Sequence, residues 1–161
     1  MPSFAITSGA QAKAQKVVVY GVEGIGKSTF AASFPAPLFI DTEHSTDAMD
    51  VRRLEAPTSW TMLLQEVAYV RDAPGLCSTL AVDTLDWAER QCIAQVCAAH
   101  QWKGIEDAGY GKGYVAVYEE FGKLLNLLSE VADRGMNVVC TAHGAVTNFE
   151  QPEESSSYDR W

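Results

Sequence analysis

The stretch that decides the fold is Val17-Val18-Val19-Tyr20-Gly21-Val22-Glu23-Gly24-Ile25-Gly26-Lys27-Ser28-Thr29. It predicts a short apolar strand, then a glycine-rich loop, then the first turn of a helix. Gly21, four intervening residues and Gly26-Lys27-Ser28 satisfy the P-loop pattern in full. Glycines allow the tight turn in which successive backbone N–H groups surround a phosphate. The stretch therefore predicts a nucleoside triphosphate site.

The P-loop pattern assigns a role to each part of this loop. The ammonium group of Lys27 reaches the β- and γ-phosphates, and the hydroxyl of Ser28 is a ligand for Mg²⁺. The positive end of the following helix also faces the phosphates. The residues expected to contact the nucleotide are Gly21, Val22, Glu23, Gly24, Ile25, Gly26, Lys27, Ser28 and Thr29.

Composition fits one ordinary globular domain. The chain has 161 residues, of which 47% are hydrophobic and 20% charged, enough to bury a sizeable core. The net charge of −9 weighs against nonspecific coating of nucleic acid by the whole surface, but it permits a local contact. No Cys-x-x-C pair or histidine cluster accompanies the four cysteines, so we expect reduced thiols and no zinc site.

The chain shows no membrane signal of its own. Its first residues lack a charged segment followed by an apolar one, which is the pattern of a signal peptide. No apolar run approaches the roughly 20 residues that span a bilayer. We expect a cytoplasmic protein with no membrane partner.

Strand and helix signals alternate along the chain, which is typical of an α/β domain with a mostly parallel sheet between two helical layers. Residues 16–145 form this core. We expect residues 1–15 to be an N-terminal segment, either frayed or with a short edge strand, 101–113 to be a mobile glycine-rich loop, and 146–161 to be a polar loop or tail. The predicted strands are 16–20, 38–40, 51–56, 77–83 and 136–142. The predicted helices are 27–34, a helix to about 71 with Ser59 as its N-cap, a helix that begins at Thr84 or Asp86 and runs to about 99, and 114–133.

Polar groups follow four of the predicted strands, and in parallel sheets ligands bind beyond the carboxyl ends of the strands. We expect one pocket to collect the P-loop, the segment Asp41–His44, Asp83 and His143. Asp83 closes the apolar run Leu80-Ala81-Val82, as a Walker B aspartate does, and can hold Mg²⁺ opposite Ser28. Capping the next helix is an alternative role for Asp83. The nearby Asp86 is interpreted as a first-turn residue favoured by the helix dipole.

Two further side chains are candidates for the chemistry. Asp41 and Glu43 point the same way on an extended chain, and Glu43 projects further, so we expect it to orient the attacking water. A solvated acid at a strand end is the other interpretation of Glu43. His143 follows the last strand and is a candidate sensor of the γ-phosphate, unless the backbone alone satisfies its ring.

The chain resembles RecA-type recombinases in the segment Pro37-Leu38-Phe39-Ile40-Asp41-Thr42-Glu43-His44-Ser45-Thr46-Asp47, which stands where that family carries its catalytic glutamate. The whole pattern is similar to phage-encoded RecA-like nucleotide-binding proteins, which are linked with homologous recombination and single-strand annealing. The further segments that carry this similarity are Asp83-Thr84-Leu85-Asp86, Gly109-Tyr110-Gly111-Lys112-Gly113-Tyr114 and Thr141-Ala142-His143.

The resemblance implies a RecA-like core with the strand order 3-2-4-5-1 and hydrolysis of ATP with Mg²⁺. It makes Glu43 the catalytic glutamate, assisted by Lys27, while His143 stands in place of the sensor glutamine. It implies a homo-oligomer that binds single-stranded DNA, with a single-stranded-DNA-binding protein as a candidate partner.

Two segments correspond to the DNA-contacting loops of that family, 101–114 and 144–161. The first offers aromatic rings for base stacking and lysines for phosphates, and its candidates are Lys103, Tyr110, Lys112 and Tyr114. RecA-like cores usually continue with further strands, so we expect the tail to be cut short.

Three other classes of nucleotide-binding protein share part of this pattern. A nucleotide or small-molecule kinase shares the P-loop but closes an arginine-rich lid on the phosphates, and residues 101–113 contain no arginine. A signalling GTPase needs an Asn-Lys-x-Asp motif, which the sequence lacks. An ATP switch or loader that does not hydrolyse nucleotide stays open.

Overall fold

We describe a computed structural model that covers residues 5–6, 8–144, 147–150 and 157–160, with only the backbone described after residue 144. Strands and helices alternate as the hydrophobic pattern predicts. The strands are β1 (Lys16–Gly21), β2 (Pro37–Asp41), β3 (Arg52–Arg53), β4 (Thr79–Asp83), β5 (Asn137–His143), β6 (Thr147–Glu150) and β7 (Ser157–Arg160). The helices are α1 (Lys27–Ala32), α2 (Trp60–Asp72), α3 (Leu85–His100) and α4 (Lys112–Asp133), with a single 3-10 turn at Ile105–Ala108.

Five parallel strands form the central sheet in the order β1-β5-β4-β2-β3. This confirms the predicted order 3-2-4-5-1 and the P-loop NTPase-like fold. The register pairs Gly21 with His143 and Asp41 with Asp83. The polar groups that follow these strands therefore meet at one edge of the sheet, which we call the carboxyl edge.

Helices cover both faces of the sheet. On one face α2, α3 and α4 bury the larger core, in which Trp60 stacks on Phe121 with ring centroids 5.7 Å apart and donates a 2.8 Å hydrogen bond to Glu120. On the other face α1 packs over a smaller cluster centred on Phe39 and Val139. Ser59 caps α2 as predicted, because its hydroxyl accepts a hydrogen bond from the backbone N–H of Met62 at 3.2 Å.

Three local predictions are wrong. The third strand is predicted over 51–56, but the strand that pairs with β2 comprises only Arg52–Arg53. The segment 101–113 is not an irregular loop throughout, because Ile105 packs against the core within the 3-10 turn. The segment 146–161 contains the antiparallel strands β6 and β7, whose backbone pairing overrides their polar composition.

Within the part of the chain that the structure describes, every helix is too short or too polar to cross a bilayer.

Candidate nucleotide-binding and catalytic site

The glycine-rich loop between β1 and α1 presents its backbone to solvent. Gly24 and Gly26 have φ angles of 76° and 97°, a region that glycine adopts without the steric cost of a side chain. Residues 22–26 are exposed, and no hydrogen bond among the described residues uses their backbone N–H groups. A row of N–H donors without protein acceptors is the arrangement that holds phosphate oxygens.

The side chain of Lys27 folds back over this loop. Its Nζ atom donates to the carbonyl oxygens of Gly21 and Val22, each at 3.1 Å, and the residue is buried. An ammonium group has three donors, so one remains for a phosphate oxygen. The Gly21 carbonyl also accepts the backbone N–H of Gly144 at 3.0 Å, which ties the loop to the end of β5.

Asp83 lies at the end of β4 with no exposed surface. One carboxylate oxygen accepts the hydroxyl of Thr141, and the other accepts the hydroxyl of Ser45 at 2.9 Å. Two donors leave lone pairs on this carboxylate, which offers about four acceptor sites. The hydroxyl of Ser28 has no partner among the described residues.

Asp41 shapes the turn that follows β2 and does not face the site. Its buried carboxylate accepts the backbone N–H groups of Glu43, Ser45 and Thr46 at 3.2, 3.1 and 2.8 Å, and the hydroxyl of Thr46 at 2.6 Å. Burial alone would raise the pKa of Asp41, but these hydrogen bonds outweigh it and hold the pKa below its usual value. The choice of Glu43 over Asp41 as the water-orienting acid stays a prediction.

Glu43 and His143 face each other across the carboxyl edge. The Nε2 atom of His143 lies 3.9 Å from Oε1 of Glu43. The other oxygen of Glu43 is 3.4 Å from the hydroxyl of Thr84. Behind the ring, Asp86 accepts the backbone N–H of His143 at 2.8 Å and lies 3.2 Å from its Nδ1 atom.

Sequence reasoning missed several residues of this site. Asp86 was interpreted only as a helix-dipole residue, yet it contacts a histidine 57 positions away. Thr42 bridges two strand ends, since it accepts the N–H of Thr84 at 2.8 Å and donates to the Thr84 carbonyl at 2.9 Å. The recurrence of hydroxyl residues beside each strand-end acid, in Asp41-Thr42 and Asp83-Thr84, was the available signal.

The candidate DNA-contacting side chains are all exposed. These are Lys103, Tyr110, Lys112 and Tyr114. Trp102, in contrast, is stacked on His100 with centroids 4.3 Å apart and packs against the core, so it is not free to stack on a base. The hydroxyl of Tyr114 donates to Glu106, and this hydrogen bond raises the pKa of Tyr114.

Helix α4 carries these candidates beyond the body of the sheet. It runs parallel to α2, since Trp60 stacks on Phe121 and Arg71 pairs with Glu130 at 2.7 Å. The first turns of α4, from Lys112, therefore extend past the start of α2. Because α2 begins after β3, its start lies near the carboxyl edge of the sheet. The start of α4 therefore lies toward the same edge as the P-loop.

Comparison with known proteins supports the same class. The model of a family described as AAA domain matches residues 13–161. No curated protein matches the chain.

Proposed function

The chain belongs to the AAA domain family and is thus a nucleotide-binding P-loop ATPase in the general sense. From this premise we propose that it hydrolyses Mg²⁺-bound ATP in the manner of RecA-like enzymes. We propose further that it acts on single-stranded DNA in recombination or annealing. The observation that carries the proposal is the meeting of Glu43 and His143, 3.9 Å apart, at the edge of the sheet that bears the P-loop.

Binding of ATP is supported by the loop backbone. The N–H groups of residues 22–26 have no acceptor among the described residues, and they supply the cradle for the phosphates. Lys27, Ser28 and Thr29 complete the proposed nucleotide contacts. Lys27 neutralises charge that develops on the transferred phosphoryl group, an effect that acts on the transition state.

The side chains present fit a magnesium ion of the P-loop kind. Ser28 would be its direct protein ligand, and Asp83 would accept hydrogen bonds from water molecules bound to it. No group of three or more acidic, histidine or cysteine side chains able to hold a metal occurs among the described residues, which suits an ion that also depends on phosphate oxygens. Mg²⁺ would supply charge neutralisation between the β- and γ-phosphates.

Hydrolysis is assigned to Glu43. Its carboxylate is largely buried, and its side-chain contacts among the described residues are long: the Thr84 hydroxyl at 3.4 Å and Nε2 of His143 at 3.9 Å. An acid held in place without a cationic partner is free to accept a proton from water. Glu43→Gln keeps the size of the side chain and removes this basicity.

The test measures ATP turnover and ATP binding in parallel. We expect Glu43→Gln to lower the turnover rate by about 100-fold or more while the dissociation constant for ATP changes little. Glu119→Gln, which alters an exposed acid on α4, is the matched control and should behave as the unmodified chain. Unchanged turnover in Glu43→Gln would refute the assignment to Glu43, whereas absence of turnover in the unmodified chain would favour the switch or loader.

Contact with single-stranded DNA is proposed for the start of α4 and the segment before it. Exposed tyrosines offer stacking surfaces, and lysines offer phosphate contacts. Lys112→Ala should weaken binding of a labelled oligonucleotide and reduce the salt dependence of binding by about one unit of slope. Lys123→Ala, in which the lost lysine already pairs with Glu120 at 2.6 Å, is the control. An unchanged slope in Lys112→Ala would remove this lysine from the interface.

Assembly is the last part of the proposal. RecA-like enzymes bind ATP between neighbouring subunits, so we propose a homo-oligomer whose formation depends on ATP and DNA, with a single-stranded-DNA-binding protein as a candidate partner. Sedimentation of the full chain with ATP and oligonucleotide, alone and together, checks this. A monomer under all conditions would contradict it.

A further inference from the structure

Asp86, on the first turn of α3, contacts both the backbone and the ring of His143. A single oxygen of Asp86 accepts the backbone N–H of His143 at 2.8 Å and lies 3.2 Å from the ring Nδ1. An ionised carboxylate only accepts hydrogen bonds. The ring must therefore place its hydrogen on Nδ1, and in the neutral ring Nε2 keeps a lone pair.

The free nitrogen then faces a second acceptor. The Nε2 atom of His143 lies 3.9 Å from Oε1 of Glu43, which is too long for a direct hydrogen bond. Two acceptors that face each other need donors between them. A water molecule that donates one hydrogen to each acceptor, at the usual hydrogen-bond distance of about 2.8 Å, bridges acceptors roughly 4 Å apart. One water molecule therefore fits between Nε2 and Oε1 and uses both of its hydrogens.

We propose that Asp86 is a positioning residue: it fixes His143 with the proton on Nδ1, so that Nε2 of His143 and Oε1 of Glu43 together accept both hydrogens of the attacking water. This inference rests on the proposed function. The water held in this way directs its oxygen lone pair away from both acceptors, toward the γ-phosphate of ATP. His143 thereby orients the nucleophile, which differs from the sensor role expected from the sequence.

The chemical step balances as an ordinary hydrolysis. The water oxygen forms a bond to the γ-phosphorus while the bond from that phosphorus to the β–γ bridging oxygen breaks. ADP leaves with the electron pair of the broken bond. Glu43 accepts the proton that the water loses and returns it to phosphate or solvent, and the imidazole of His143 stays neutral.

The test combines a tautomer measurement with kinetics on the full chain. Nitrogen NMR of ¹⁵N-histidine-labelled protein at pH 8, with His44 and His100 as internal references, should show His143 neutral with its proton on Nδ1. In Asp86→Ala the ring loses the acceptor beside Nδ1, so the proton should no longer be held there and the form protonated on Nε2 should appear. We expect kcat to fall by about 100-fold with KM for ATP within about threefold.

Two further variants separate positioning from folding. Asp86→Glu keeps a carboxylate and should retain the Nδ1 proton and recover much of kcat. Asp47→Asn alters an exposed aspartate and should change neither measurement. A merely structural Asp86 would lower activity in Asp86→Glu and Asp86→Ala alike, without moving the tautomer.

Each outcome decides between the inference and the proposed function. An imidazolium or an Nε2-protonated ring in the unmodified chain would overturn the inference. So would a tautomer shift in Asp86→Ala that leaves kcat equal to that of Asp47→Asn. Loss of turnover in Glu43→Gln together with normal turnover in Asp86→Ala would retain the proposed function and reject the inference. Absence of turnover in the unmodified chain would reject the proposed function and the water-positioning role, while the tautomer measurement still decides whether Asp86 sets the ring.

Discussion

Replacing Asp41 by asparagine tests the idea that one buried carboxylate builds the turn that carries Glu43. Asp41 is 2% exposed. One of its oxygens accepts the N–H and the hydroxyl of Thr46 at 2.8 and 2.6 Å, and the other accepts the N–H groups of Glu43 and Ser45. In Asp41→Asn the amide oxygen can keep the second pair, but the NH₂ group then faces the two Thr46 donors.

The expected cost follows from those contacts. Hydrogen bonds to a charged group contribute about 1.5–3 kcal/mol each, and an unsatisfied buried donor costs a similar amount. Allowing for relaxation of the turn, we expect the free energy of unfolding to fall by about 3 kcal/mol. For a chain of this size that lowers the melting temperature by about 6–12 °C. Circular dichroism during heating or urea titration at pH 7 measures it.

The pH dependence supplies an independent check. The pKa of Asp41 is lowered in the folded chain from the model-compound value of 3.8, so its ionised form stabilises the fold at any pH above that value. The contribution is lost as the pH falls below 3.8 and through the folded-state pKa. The difference between Asp41→Asn and the unmodified chain should therefore narrow under those acidic conditions.

The matched control for this change is Asp47→Asn, which makes the same chemical substitution at an exposed position just beyond the turn. It should alter the free energy of unfolding by less than about 0.5 kcal/mol. If Asp41→Asn destabilises the chain no more than Asp47→Asn does, the carboxylate does not hold the turn and the reasoning fails.

Three further predictions concern other parts of the chain. Lys27→Met should abolish ATP binding in isothermal titration while the circular dichroism spectrum is retained; measurable affinity would contradict the phosphate role of Lys27. Burial, and secondarily the charge of Glu55, raises the pKa of Glu66 from 4.5 to about 7, so ionisation of Glu66 opposes folding increasingly from pH 4.5 to about 7 and fully above. Glu66→Gln should therefore stabilise the chain by roughly 1–2 kcal/mol at pH 8, after discounting for solvent screening, and by little at pH 4.5. Equal urea midpoints for Glu66→Gln and the unmodified chain at pH 8 would refute this. Burial raises the pKa of Cys92 and of Cys140 to about 12. A thiol reagent at pH 8 should therefore label the partly exposed Cys97 well before these two thiols. Rapid labelling of Cys140 without unfolding would contradict its burial.

Local pattern was sufficient for the sheet but insufficient for the contacts within the site. Residues that are neighbours in sequence are enough to reveal the P-loop, the strand that ends at Asp83 and the cap at Ser59. The strand order came from family resemblance. The pairing of Asp86 with His143 depends on the register of β4 and β5, because residues 57 positions apart meet only when those strands align. A single acid at a helix start carries no trace of that partner.

The same limit explains the errors in the loops. Ile105 gives no periodic signal in a glycine-rich segment, yet it packs on the core and lies so close to Gly113 that a Cβ there would meet the Ile105 carbonyl oxygen at 2.0 Å. Only glycine fits at that contact. The glycines of this segment were interpreted as marks of mobility, whereas this one allows close packing, and sequence alone does not distinguish these two uses.

The turn after β2 links the two acids of the proposed chemistry. Asp41 holds it through Thr46, and from the same turn Ser45 donates to Asp83 at 2.9 Å. Glu43 therefore cannot shift far without disturbing the hydrogen bond that helps to orient Asp83. Glu43, the proposed water-orienting acid, and Asp83, the proposed magnesium-binding acid, thus share one support. Asp41→Asn should therefore lower turnover and change the dependence of turnover on Mg²⁺ concentration together. If turnover fell in Asp41→Asn while its dependence on Mg²⁺ concentration stayed unchanged, Glu43 and Asp83 would be held independently.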